Sequence, residues 1–161
     1  MAELLIVYHS RTGGSHQMAQ AAFHAAHKET GCDLKRAAQT GPDDLLRADG
    51  YLFCGPENLA ALSGEMKEFF DRCYYPVLGR IEGRPYAQMI CAGSDGQGAA
   101  RQLARIATGW RLKEVQPPLI INTSAQTPEE ILSEKTIGGD ALAQCRDLGE
   151  GFAAGLEMGM L

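Results

Sequence analysis

A chain of 161 residues is long enough to bury a sizeable core as one domain without disulfide or metal staples. Its formal net charge of -5, spread along the sequence, leaves no basic footprint for nucleic acid, and no run approaches the roughly 18 apolar residues of a membrane span or follows a basic start as a signal peptide would. The five cysteines, Cys32, Cys54, Cys73, Cys91 and Cys145, are odd in number and never within four residues of one another, which favours neither a disulfide framework nor a C-x-x-C pair and makes a reducing cytoplasm the expected setting.

Leu4 to Tyr8 opens the chain as a strand apolar at every position from Leu4 to Val7, the pattern of a strand buried on both faces. Ser10-Arg11-Thr12-Gly13-Gly14-Ser15 follows, and a helix is predicted from His16 to Lys28. Gly13 and Gly14 free the backbone to turn several N–H groups toward one anion, while Ser10, Thr12 and Ser15 add hydroxyls. Ser15 is the expected N-cap, which places the loop at a helix N-terminus, where unpaired N–H groups and the dipole favour phosphate. An ordinary strand-to-helix turn with a capping serine explains the same residues, and Arg11 reads equally as a phosphate partner or a solvated loop cation. No Gly-Lys-Ser/Thr ending for a nucleoside triphosphate and no G-x-G-x-x-G spacing for a dinucleotide is present. The pattern Ser-x-Thr-Gly-x-Ser instead resembles the loop with which flavodoxin-like proteins hold the monophosphate of FMN.

On the first helix, Met18, Ala19, Ala22, Phe23 and Ala26 share one face, and His16, Gln20, His24 and His27 fall largely on the other. No cysteine or carboxylate completes a metal-ligand spacing among those histidines, so they read as a solvated face. A weak strand over Cys32 to Ala38 and a short helical segment through Leu45-Leu46 precede a second buried strand, Ala48 to Pro56. A loop is expected over Gly55 to Leu62. Ser63 is the predicted cap of a helix whose stripe Met66, Phe69, Phe70, Cys73, Tyr74 and Val77 is core packing.

Tyr86 to Ala92 is the fourth strand, and Gly93-Ser94-Asp95-Gly96-Gln97-Gly98 connects it to a helix closed by Gly109. Val115 to Ile121 is strand-like, but Pro117 and Pro118 confine it to a sheet edge. Thr127-Pro128-Glu129-Glu130 combines a capping box with proline at the first helical position. The last helix is predicted from about Asp140 to Met158. No repeat or linker marks a second domain.

Five strands alternating with helices imply a parallel sheet covered on both faces. In the flavodoxin-like doubly wound order 2-1-3-4-5, the three glycine-rich loops follow three adjacent strands, and ligands in such sheets bind at the carboxyl ends where strand order reverses. Ser10 to Ser15, Ala48-Asp49 through Gly55-Pro56-Glu57-Asn58-Leu59, Ser63 to Arg72 and Ala92 to Gly96, in this order, resemble the flavodoxin family, within its NAD(P)H-dependent FMN reductase and quinone reductase branch.

The resemblance covers nearly all of residues 1–161 and implies a single α/β three-layer domain binding FMN noncovalently. The phosphate would lie on Ser10, Arg11, Thr12, Gly13, Gly14 and Ser15, and the ring between Pro56, Glu57, Asn58, Leu59 and Gly93, Ser94, Asp95, Gly96, Gly98. Glu57, Asn58 and Asp95 could bond the ring edge or satisfy their own turns. Neither Glu57 to Leu62 nor Gly93 to Gly98 carries the aromatic side chains with which electron-carrier flavodoxins enclose the ring, and the net charge is mild for a carrier steered to basic partners. The expectation is therefore an enzyme passing reducing equivalents from NAD(P)H through FMN to a quinone, flavin or other small acceptor, as a homodimer or homotetramer, with no catalytic side chain named. A flavodoxin-type carrier and a flavin-free interaction module are the alternatives. A phosphatase loop, which needs cysteine six residues before arginine, and a phosphoacceptor aspartate where Cys54-Gly55-Pro56 stands are both absent.

Overall fold

The computed structural model describes residues 1–161. The strands are β1 (Glu3–Tyr8), β2 (Gly31–Arg36), β3 (Gly50–Asn58), β4 (Ala61–Leu62), β5 (Pro85–Ala92), β6 (Lys113–Glu114) and β7 (Leu119–Asn122). The helices are α1 (Gly14–Ala26), α2 (Pro42–Arg47), α3 (Gly64–Val77), α4 (Gln97–Gly109), α5 (Pro128–Leu132) and α6 (Gly139–Glu157). The main sheet runs β2-β1-β3-β5-β6, with β7 also paired to β5, and every one of these pairings is parallel. Counting β6 and β7 as one interrupted edge strand, this is the expected 2-1-3-4-5 order. The interruption falls at Gln116-Pro117-Pro118, where two prolines cannot donate to the ladder. No helix is long and apolar enough to cross a membrane.

Alternation along the central strands divides the core between the two faces of the sheet. Leu5 and Val7 of β1 and Tyr51 and Phe53 of β3 join Met66, Phe69, Phe70, Cys73 and Val77 of α3 and Leu103 of α4. Leu4, Ile6 and Tyr8 of β1 and Leu52 and Cys54 of β3 turn the other way, onto Met18, Ala19 and Ala22 of α1 and Cys145 and Phe152 of α6. The aromatic stripe of α3 is thus core, as its spacing predicts: Phe70 meets Phe53 edge-on at 5.1 Å and Trp110 at 5.4 Å. With both faces covered by helices, the open ground for a ligand is the rim at the carboxyl ends of the strands.

Two local expectations are corrected. Ser15 is not the N-cap of the first helix: α1 begins at Gly14, and Gly13 holds the cap position with φ 96°, a left-handed conformation that favours glycine. The segment Gly55 to Leu62 is a hairpin and not a loop. β3 continues through Pro56 to Asn58, turns at Leu59 and Ala60 with φ of 51° and 63°, and returns antiparallel as β4. Pairing with β1 ends at Cys54, so Pro56 stands where β3 has one sheet neighbour, a setting that tolerates proline.

Candidate functional site

A cleft opens at the carboxyl ends of β1, β3 and β5, in two connected parts of about 330 Å³ and about 240 Å³ that share Arg11, Thr12, Pro56, Asn58, Cys91 and Ile131. The smaller part lies over the first loop. Ser10, Gly14 and Ser15 line it. The first helical bond of α1 is from Gln17 N–H to Gly13 O at 3.1 Å, so the N–H groups of Gly14, Ser15 and His16 precede it without an intrahelical partner. Ser10 Oγ accepts from Gly13 N–H at 3.0 Å, which closes the loop and leaves its own O–H free to donate outward. Ser15 is 2% exposed and its Oγ has no hydrogen-bond partner. A buried hydroxyl without a partner is costly, and here its residue borders a cleft whose N–H groups and dipole favour an anion.

The larger part lies between the hairpin and the β5–α4 loop. Pro56, Glu57, Asn58 and Leu59 line one side, and Ala92, Gly93 and Ser94 another. Glu57 has a second task, because its carboxylate accepts from Gly96 N–H and Ala99 N–H, both at 3.0 Å, and so caps α4 from across the cleft. Asp95, with φ 63°, accepts from Gln97 N–H within its own turn. Gly98 lies beneath the hairpin turn: a Cβ there would stand 2.1 Å from Ala60 O. Asp95, Gly96 and Gly98 therefore build the walls of the cleft without lining it, while Gly13 supplies the turn that sets the first loop.

Sequence reasoning missed a third wall. Residues 123–137, between β7 and α6, fold back as a strap carrying α5. Thr123, Ala125, Ile131 and Lys135 line the larger part of the cleft, and Ile131 and Leu132 the smaller. The strap is tied to the first loop by Lys135 N–H donating to Thr12 O at 2.8 Å. Gln17 holds it from α1, donating to Lys135 O at 2.7 Å and accepting from Ile137 N–H at 2.9 Å. The general siting of ligands outside strand ends includes the connection after the fifth strand, and that was the available signal.

Cys91, at the end of β5, forms part of the floor. Burial pushes its thiol up to about 11, opposed by the Lys135 charge, so it stays protonated at neutral pH and acts as an apolar surface. Behind the cleft, His9 Nδ1 meets Ser63 Oγ at 2.7 Å and its Nε2 lies 3.3 Å from Glu65. Burial lowers the His9 pKa, Glu65 raises it, and Arg11 and Arg36 lower it further. Ser63 holds the expected cap position of α3, but its hydroxyl is turned to His9 and makes no cap bond.

The parallel order, the two helical layers and the rim cleft define a flavodoxin-like protein. Two solved structures match nearly the whole chain: a WrbA-like flavodoxin from Agrobacterium tumefaciens, with TM-score 0.78 and 17% identity over 100% of both chains, and a flavodoxin from the domain Archaea, with TM-score 0.77 and 16% identity over 96% of this chain and 99% of that one. Residues 8–126 match the NADPH-dependent FMN reductase family, and the chain belongs to that family. Among curated relatives, a flavodoxin of Aquifex aeolicus is 32% identical over 108 residues, 65% of this chain and 56% of its own length. An NAD(P)H dehydrogenase (quinone) of Acidithiobacillus ferrooxidans is 30% identical over 94 residues, 45% of this chain and 47% of its own. The chain spans about half the length of these relatives. Family membership assigns FMN as the cofactor, and the phosphate loop with its unpartnered Ser15 hydroxyl fits a phosphomonoester.

Proposed function

We propose that the chain is an FMN-dependent oxidoreductase that accepts hydride from NADH or NADPH and delivers reducing equivalents to a quinone, a flavin or another small acceptor. The observation that carries this reading is the larger cleft: none of its 15 lining residues is aromatic, and its walls are the hairpin, the β5–α4 loop and the strap. Walls without an aromatic ring to stack on the flavin leave an open face for a nicotinamide and then an acceptor.

In this reading the α1 N–H groups with the Ser10, Thr12 and Ser15 hydroxyls hold the phosphate, and Arg11 adds positive charge. Pro56, Asn58, Leu59, Gly93 and Ser94 orient the ring, with Glu57 fixing hairpin and α4 as one frame. When bound, FMN supplies the hydride chemistry, so the chain needs no nucleophile of its own. Main-chain N–H groups at the rim stabilise negative charge that develops nearby.

Anaerobic addition of NADPH, then NADH, to the FMN-loaded protein tests the reading: the visible flavin bands bleach within seconds with one or both. The 32% identical relative is a flavodoxin, which makes an electron carrier the second reading. Retained flavin that resists both nucleotides but is reduced by dithionite would establish that carrier and overturn the enzyme.

A further inference from the structure

The strap brings a cation to the first loop from 123 residues away in sequence. Lys135 Nζ lies 3.2 Å from Thr12 Oγ1, and its other contacts are the carbonyl oxygens of Ile131 at 2.9 Å and Ser133 at 2.6 Å. All three acceptors are neutral. Lys135 is in none of the four lysine or arginine pairs with carboxylates, nor in the His9–Glu65 contact, so this half-buried ammonium has no carboxylate within ion-pair distance. It lines the same cleft as Thr12, next to the part bordered by Ser15, whose buried hydroxyl has no partner. Two groups thus converge on the first loop: an ammonium whose three N–H bonds all go to neutral oxygens and leave its charge without a counterion, and a hydroxyl without a partner.

The position of the ammonium is built. Its own residue is held at both backbone ends, N–H to Thr12 O and O from Gln17 Nε2, and Gln17 also fixes Ile137. The side chain therefore starts from a backbone tied to the phosphate loop itself, and little freedom is lost when it meets a ligand there. Its field already reaches the cleft floor, where it opposes the rise in the Cys91 thiol.

We infer that Lys135 is a phosphate-binding residue that pairs with the phosphomonoester dianion on the first loop and makes the cleft select FMN over riboflavin. The inference rests on the FMN reading and adds to it a specificity determinant from outside the glycine-rich loops. The competing role for the same contacts is a brace that ends α5 by satisfying its last carbonyls. A brace acts on FMN and riboflavin alike, whereas a phosphate ligand acts on FMN alone.

Flavin-fluorescence titrations of wild type, Lys135→Met and Lys135→Arg with FMN and riboflavin, together with thermal melts in inorganic phosphate, separate the two. Exchange of one neutral acceptor, Thr12 Oγ1 or a strap carbonyl, for a phosphate oxygen gives Lys135 one charge-assisted bond, and its loss should weaken FMN binding by about tenfold in Lys135→Met. Riboflavin affinity should stay unchanged, and Lys135→Arg should recover most of the loss. Added salt should weaken FMN binding less in Lys135→Met than in wild type. An equal loss for both flavins, or unchanged FMN affinity, overturns the assignment and leaves the FMN reading standing. Wild type that binds neither flavin overturns the FMN reading, and the phosphate arm then judges Lys135 alone. Phosphate raising the melting temperature of wild type but not of Lys135→Met supports the assignment; raising both or neither rejects it.

Discussion

Glu57→Ala separates a wall-building residue from a flavin ligand. The Glu57 carboxylate takes two N–H bonds at the start of α4, at 3.0 Å each; Gly96, at the N-cap, has no side chain, and the other side-chain bond at that end is the longer one from Gln97 N–H to Asp95 Oδ1 at 3.3 Å. Removing a side-chain cap costs about 1 kcal/mol, and removing a negative charge from a helix N-terminus costs up to about another 1 kcal/mol in a half-buried setting. Glu57 itself lines the cleft, so its truncation lets water in toward the N–H groups of the buried Gly96 and Ala99, which limits the loss to about 2 kcal/mol. For a chain of this size that lowers the melting temperature by roughly 4–8 °C. Differential scanning fluorimetry without flavin should show this drop, and Glu57→Gln, which keeps one acceptor oxygen, should show about half of it. A variant that melts within about 1 °C of wild type but no longer binds FMN would refute the capping argument and make Glu57 a flavin ligand.

Three further outcomes follow from the same geometry. Ser15→Ala removes a buried hydroxyl that has no partner in the fold, so urea denaturation without flavin should show unchanged stability or a gain of up to about 1 kcal/mol, while FMN binds about tenfold more weakly. A loss of stability would mean that the hydroxyl is already bonded within the chain. Gly98→Ala puts a Cβ 2.1 Å from the Ala60 carbonyl, a backbone atom that cannot swing away, and should cost about 3 kcal/mol in the same assay. Burial holds the His9 pKa below the ordinary value against the opposing pull of Glu65, so the unfolded chain binds the proton more readily. The His9 contribution is then complete above about pH 6.5 and is lost as pH falls through the folded value. Melting temperature against pH should fall more steeply on the acid side for wild type than for His9→Asn.

What the sequence disclosed and what it hid follow one physical division. β1 and β3 are apolar at nearly every position because helices cover both faces, and a continuous apolar run carries that signal by itself. The first and third loops were legible for a similar reason, since glycine clusters after such runs mark backbone that must turn sharply. The hairpin at Leu59-Ala60 was not, because its two left-handed residues are neither glycine nor asparagine, the usual signal of a two-residue turn. Ser15 looked like a cap because serine usually is one, yet the left-handed Gly13 starts the helix earlier and carries the serine into the buried first turn. The strap was hidden most completely. Its ties run from Thr12 to Lys135 and from Gln17 to Lys135 and Ile137, over more than a hundred residues, and no local pattern records them. Pro117 and Pro118 placed the fifth strand at the edge correctly, but its division into β6 and β7 depends on where β5 offers partners.

The claim that the rim cleft is an FMN site is tested most directly by a crystal structure of the protein grown with FMN. The account predicts flavin density in the cleft, with the phosphate against the N–H groups of Gly14, Ser15 and His16 and within hydrogen-bond distance of Ser15 Oγ. A phosphate bound elsewhere, or a cleft that stays without flavin at saturating FMN, would contradict it.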